Sequence, residues 1–164
     1  MRVQGRGSIS PLFILLPLLI GCGRENGVVR QEDPVLARRE QEMFTAVNHY
    51  RDSVGLGIMA WDDRVASIAR EHSRDMADGK FSLGHTGATD RTEQVGEIIP
   101  WESISENVAY STERTDIIHF LLDRWLASKG HRTNIEGKYN LTGIGAAESE
   151  DGKIYFTQIF VLKQ

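Results

Sequence analysis

The chain has 164 residues, 40% of them hydrophobic and 26% charged, the composition of an ordinary one-domain globular protein. Its formal net charge is −4 and it carries no basic cluster, which argues against nucleic acid as the main partner. Its single cysteine, Cys22, excludes an intramolecular disulfide, so the fold must rest on its core.

The N-terminus reads as an export signal. Arg2 and Arg6 precede the apolar run Pro11–Ile20, which is shorter than the about 20 residues a membrane-spanning helix needs. The run ends in "LIGC", Leu19–Cys22, which resembles the lipobox of bacterial lipoproteins. The resemblance implies a signal peptide over residues 1–21, cleavage before Cys22, and acylation of Cys22 as a membrane anchor. The alternative is a plain secretory signal with a chance cysteine. Gly23, not Asp, follows the cysteine, so nothing commands inner-membrane retention. The expected place is extracytoplasmic, at the outer membrane or cell surface of a bacterium. Loss of Arg2 and Arg6 moves the formal charge from −4 to −6, so the lipid rather than the protein surface would hold the membrane. Residues 22–37 then form the lipidated cysteine and a polar tether, and residues 38–164 the domain.

A first helix is expected from about Val35 to Ser53, because Leu36, Met43, Val47, Tyr50 and Val54 fall on one helical face. Gly55 and Gly57 end it. Asp62 is a good N-cap for a second helix over about Asp63–Asp78, with Val65, Ile68, Ala69, His72 and Met76 as its stripe. Lys80–Tyr110 has little periodicity and reads mostly as loop, with "SENVAYS" as a helical turn or a strand. A third helix is expected from near Ser111 or Thr112 to before Gly130, with Ile117, Ile118, Leu121, Leu122 and Trp125 inward. The C-terminus reads as a hairpin turning at "EDGK". Its last strand is apolar on both faces, which predicts a central strand. The expected class is α+β: a three-layer α-β-α sandwich with a small, mostly antiparallel sheet.

No HExxH, no GxSxG and no phosphate-binding glycine loop is present. Of five histidines, His49 reads as a surface residue and His72 as a core residue. His119 sits mid-helix with no acidic partner in view. His85 and His131 differ: each follows a glycine in an expected loop, in "LGHTG" and "KGHRT". "NLT", Asn140–Thr142, is formally a glycosylation sequon, here expected to mark only a surface loop.

The segments "NHYRDSVGLGIMAWDDRVASIAREHSRDMA", "FSLGHTG", "SENVA", "DRWLASKGHRTNI", "GIGAAES" and "IYFTQIFV", taken in order, resemble the bacterial branch of the CAP superfamily, the SCP domains of cysteine-rich secretory, antigen 5 and pathogenesis-related proteins. The resemblance runs from about Arg38 to Gln164. It implies a cleft lined by His85, Glu106 and His131. The second glutamate of many relatives is missing, since Ser128 stands three residues after Trp125. Ser105 replaces the usual glycine before Glu106.

Two imidazoles and a carboxylate match the ligand chemistry of a divalent metal, zinc first. The alternative is a buried hydrogen-bonded trio in which Glu106 accepts from both imidazoles. Some relatives are reported to bind sterols or other lipids. The expected function is therefore a non-enzymatic binding module for a metal, a small apolar ligand or an envelope protein. One alternative is a metal-dependent hydrolase using His85, Glu106 and His131. Another is a structural protein of the envelope.

Overall fold

The computed structural model describes residues 33–164; the export signal, Cys22 and most of the expected tether lie outside the described residues. Helix α1 (Pro34–Ser53) begins where the Asp33 carboxylate accepts the Val35 N–H at 2.8 Å, with proline in the first turn. The helix starts one residue before the expected Val35, and Leu36 packs against the core as its place on the apolar face requires. A two-residue strand β1 (Ala60–Trp61) leads to α2 (Asp63–Ala77), which Asp62 caps through the N–H groups of Arg64 and Val65. Next come α3 (Ala88–Ile98), β2 (Trp101–Ser111), α4 (Ile117–Ala127), α5 (Lys129–Ile135), β3 (Leu141–Glu148) and β4 (Ile154–Lys163).

The sheet order is β1-β3-β4-β2, parallel only between β1 and β3. β4 is thus internal, as its two apolar faces predict. Ile154, Phe156 and Phe160 point to one side, into a core with Met43 and Val47 of α1 and Leu121 and Trp125 of α4. Ile159 and Val161 point to the other, against Val65 and Ala69 of α2 and Val95 of α3. This is the expected α-β-α sandwich.

α2 lies on the sheet where β3 has no side chains. A Cβ at Gly143 or Gly145 would fall on the backbone of Ala66 or Arg70, well inside van der Waals contact. Ser73 completes the seat, donating to the Gly145 carbonyl at 2.9 Å and lying 2.9 Å from the Thr157 hydroxyl. The two helical layers also meet around the β3 edge. Glu40 of α1, 1% exposed, accepts the Ala146 N–H at 2.9 Å and pairs with Arg70 of α2 at 2.7 Å.

Three expectations need correction. The stretch 80–110 is not mostly loop: it holds α3 and β2. In α3 only Arg91 and Val95 are buried, too few apolar positions to show a helical period. The third helix starts later, at Ile117, because Glu113 takes the N–H groups of Arg114 and Thr115 in a turn. And "KGHRTNI" is not a loop but α5, with only Ile135 buried; Gly130, which reads as a helix stop, lies inside it.

Gly145→Ala is expected to lift α2 from the sheet, at or above the upper end of the about 1–3 kcal/mol typical of overpacking. Gly130→Ala faces open space and is expected to change stability by less than about 1 kcal/mol, on the stabilising side. Thermal melts by circular dichroism check both; equal melting temperatures for the two variants would refute the glycine seat.

Candidate functional site

Glu106 stands in the middle of β2, and its side chain faces the α2–α3 layer, beside Ile159 in register. The carboxylate is 10% exposed and doubly held by Arg91 of α3. The Arg91 Nε donates to Oε2 and Nη2 to Oε1, each at 2.7 Å. This is the bidentate fork that guanidinium and carboxylate form best. Arg91 Nη1 also donates to the Thr86 carbonyl at 2.7 Å, tying the α2–α3 loop to the pair.

His85 lies in that loop. Its Nδ1 is 2.8 Å from Glu106 Oε1. An ionised carboxylate only accepts, so Nδ1 carries the proton and Nε2 is left as the open nitrogen. The His85 side chain is 53% exposed, so this nitrogen belongs to the rim. Burial pushes the Glu106 pKa up, but the bonds from Arg91 and then His85 outweigh it, and the net shift is downward.

His72 sets where His85 sits. It is 2% exposed, and its Nε2 donates to the Gly84 carbonyl at 2.8 Å. Burial lowers its pKa and favours the neutral ring, as a core histidine requires. His49 is exposed, as expected of a surface residue. His119 is corrected: Asp116, one turn earlier, accepts from its Nδ1 at 2.5 Å and raises its pKa.

His131 arrives differently. α5 is docked through main-chain atoms: Asn107 donates to the His131 carbonyl at 3.1 Å, and Asn134 donates to the Glu106 carbonyl at 3.1 Å and to Asn107 Oδ1 at 2.9 Å. The far end of α5 is fixed by Arg51 of α1. That guanidinium is 2% exposed and donates to the carbonyls of Ile135, Gly137, Tyr139 and Gly57. The His131 ring packs at 6.3 Å from the Trp125 ring. Burial first, then the nearby His85, lowers its pKa.

Of the three expected residues, only His85 and Glu106 are bonded to each other; His131 feels His85 electrostatically but lines a neighbouring groove. Ser128, where a second glutamate would stand, is the N-cap of α5. Asn140 of the sequon has its amide engaged with the Lys163 backbone in both directions. The residue that sequence reading missed is Arg91. Arginine lies outside the usual metal-ligand and acid-base residue types, and α3 carries no helical period in its apolar residues.

The arrangement fits a divalent metal poorly. Both Glu106 oxygens are taken by Arg91, and among the described residues no three His, Cys, Asp or Glu groups converge to hold an ion. Beside Glu106 opens a cleft of about 200 Å³, whose wall joins Ile104, Ile159 and Ala88 to the polar groups of His85, Arg91 and Glu106. Ser105 also borders it, and its buried hydroxyl has no hydrogen-bond partner.

A sandwich of this topology, with a loop histidine held by a strand glutamate, defines a class of fold, and sequence similarity gives it a family. The sequence model of the cysteine-rich secretory protein (CAP) family matches residues 44–160. The chain belongs to this family. It is 30% identical over 129 residues to the uncharacterized protein YkwD of Bacillus subtilis (strain 168), covering 76% of this chain and 47% of that protein. It is 29% identical over 127 residues to the uncharacterized membrane protein YlbC of the same organism, covering 74% of this chain and 34% of that one. The chain thus spans between a third and a half of the length of these relatives. An extracellular SCP-domain protein of Bacillus anthracis superposes with a TM-score of 0.62 at 29% identity, over 79% of this chain and 42% of that one. An outer surface protein of Borrelia burgdorferi shares the fold, with a TM-score of 0.66 at 15% identity, over 77% of this chain and 94% of that one. No helix among the described residues is long and apolar enough to cross a membrane.

Arg91→Met is expected to leave Glu106 as an uncompensated buried charge and to cost about 3–5 kcal/mol. The folded pKa of Glu106 lies below its unfolded value. Its contribution to stability is therefore complete above about pH 4.3 and is lost as pH falls through the folded value. In Arg91→Met the loss should begin at higher pH. Melting temperature against pH for the two proteins reads this, and parallel acid limbs would contradict it.

Proposed function

We propose that this CAP domain is a non-enzymatic binding module, held outside the cytoplasm by a lipid on Cys22, whose cleft takes a small ligand group. The observation that carries the reading is the Arg91–Glu106 fork. A carboxylate held ionised by an internal cation is a poor proton acceptor, and the cation on both of its oxygens opposes a second positive charge beside it. It serves instead to hold His85 with Nε2 outward, at the mouth of a partly apolar cleft. The volume, about 200 Å³, is below the range of about 300–1,000 Å³ usual for whole small-molecule sites, so the cleft suits one side chain or one end of a ligand. An extracytoplasmic place is supported by the relatives described as membrane, extracellular and outer surface proteins.

The alternative is the divalent-metal site, with zinc held by His85 and His131 and with Glu106 freed from Arg91. Calorimetric titration of zinc into the full chain separates the two. Equal heats are expected for wild type, His85→Ala and His131→Ala. A saturable one-site heat lost in both variants would sink the metal-free reading. Peptide or ester turnover abolished by Glu106→Gln would replace it with the hydrolase.

The anchor has its own test. Wild type expressed in a bacterium with labelled fatty acid should carry the label and sediment with membranes. Cys22→Ala should do neither; a labelled Cys22→Ala protein would place the acyl chain elsewhere.

A further inference from the structure

The sheet has two outer edges, and the chain treats them differently. Beyond the two residues of β1, the β3 edge is covered: residues 142–147 are buried, and Glu40 takes the Ala146 N–H. The β2 edge is closed only in part. Which β2 groups point outward follows from β4. The Val161 carbonyl accepts from the Asn140 N–H at 3.2 Å, so it faces β3. Backbone groups alternate along a strand, so Ile159 faces β3 as well and Gln158 faces β2. Asn107, in register with Gln158, therefore faces β4. Glu106, Val108 and Tyr110 then turn their N–H and C=O groups away from the sheet. Asn134 occupies the Glu106 carbonyl. Among the described residues no hydrogen bond occupies the outward groups of Val108 and Tyr110.

Beside these groups runs a groove of about 430 Å³. Leu83, Tyr110 and Phe120 line it, and they are half of the large hydrophobic side chains that are exposed among the described residues. Such clustering, unlike scattered exposure, marks an interaction site. Trp125, 1% exposed, forms part of its wall, and its indole N–H has no acceptor. Arg124 lies over the Phe120 ring at 5.5 Å and forms no ion pair among the described residues. Unpaired strand groups select an extended polypeptide, the apolar walls select a large side chain, and the unpaired guanidinium selects a carboxylate.

We propose that β2 receives an extended, acidic segment of a partner protein as a fifth strand. Its backbone pairs with Val108 and Tyr110, an apolar side chain lies against Leu83, Tyr110 and Phe120, and a carboxylate meets Arg124. The groove shares no lining residue with the cleft at His85 and Glu106, although His131 stands on its wall, and the proposal does not depend on what the cleft beside Glu106 binds.

The probe is a phage-displayed library of linear peptides of about 12 residues, panned on the full chain in detergent. One selected peptide is then synthesised for amide hydrogen exchange. Selected peptides should alternate apolar and polar residues and carry Asp or Glu. The bound peptide should slow exchange at the Val108 and Tyr110 amides by about tenfold or more. The double variant Phe120→Ser, Arg124→Glu alters two exposed side chains and should fold normally by circular dichroism. It should weaken the peptide by about tenfold or more, roughly 1.4 kcal/mol. No enrichment over an unrelated domain, or protection at other amides, overturns the proposal. So does protection of Val108 and Tyr110 that rises with protein concentration without peptide, which identifies the occupant as a second copy of the chain.

Discussion

Helix α2 touches the sheet backbone to backbone, and that contact is available only because Gly143 and Gly145 are glycines. Ala66 and Ala69, both fully buried, keep the facing side of the helix equally thin. A close approach of this kind has little slack, since packed interiors do not deform continuously. It sets the height of α2 above β3 and β4, and with it the place of everything attached to the end of α2. His72, near that end, reaches the Gly84 carbonyl, and Gly84 carries His85. The rim histidine is thus located by a chain of rigid contacts that starts at two missing side chains.

Charge is used in the same way, to locate. Arg70 with Glu40 and Arg91 with Glu106 are both nearly buried pairs, each spanning separate elements. Such pairs gain little net free energy over apolar substitutes, because desolvation offsets most of their attraction. What they supply is geometry. Arg51 goes further and dispenses with a carboxylate, spreading one guanidinium over four main-chain carbonyls. In this chain an arginine stands against the carboxylate of Glu106 and fixes where both of its oxygens point.

How far the sequence reveals this depends on apolar density. α1, α2 and the β3–β4 hairpin are legible because each buries a regular stripe, and β4 shows its central place through Ile154, Phe156, Ile159 and Phe160 on both faces. α3 and α5 are not legible. They bury one or two side chains each, a single apolar anchor (Val95 or Ile135) joined by polar contacts through Arg91 in one and Asn134 in the other. Polar contacts leave no period. His85, Glu106 and His131 were visible as motif residues, but their bonding was not, since the fork depends on a helix that composition disguised as loop.

The docking of α5 leaves one more consequence. Asn107 grips the carbonyl of residue 131, and Asn134 grips the carbonyl of Glu106, so neither bond involves an imidazole atom. Position 131 is therefore a socket rather than a keystone. Whatever side chain is plugged in there would be presented at the same point beside Trp125, with the helix beneath it unmoved. Chemistry at that rim can be exchanged one residue at a time, without rebuilding the scaffold that carries it.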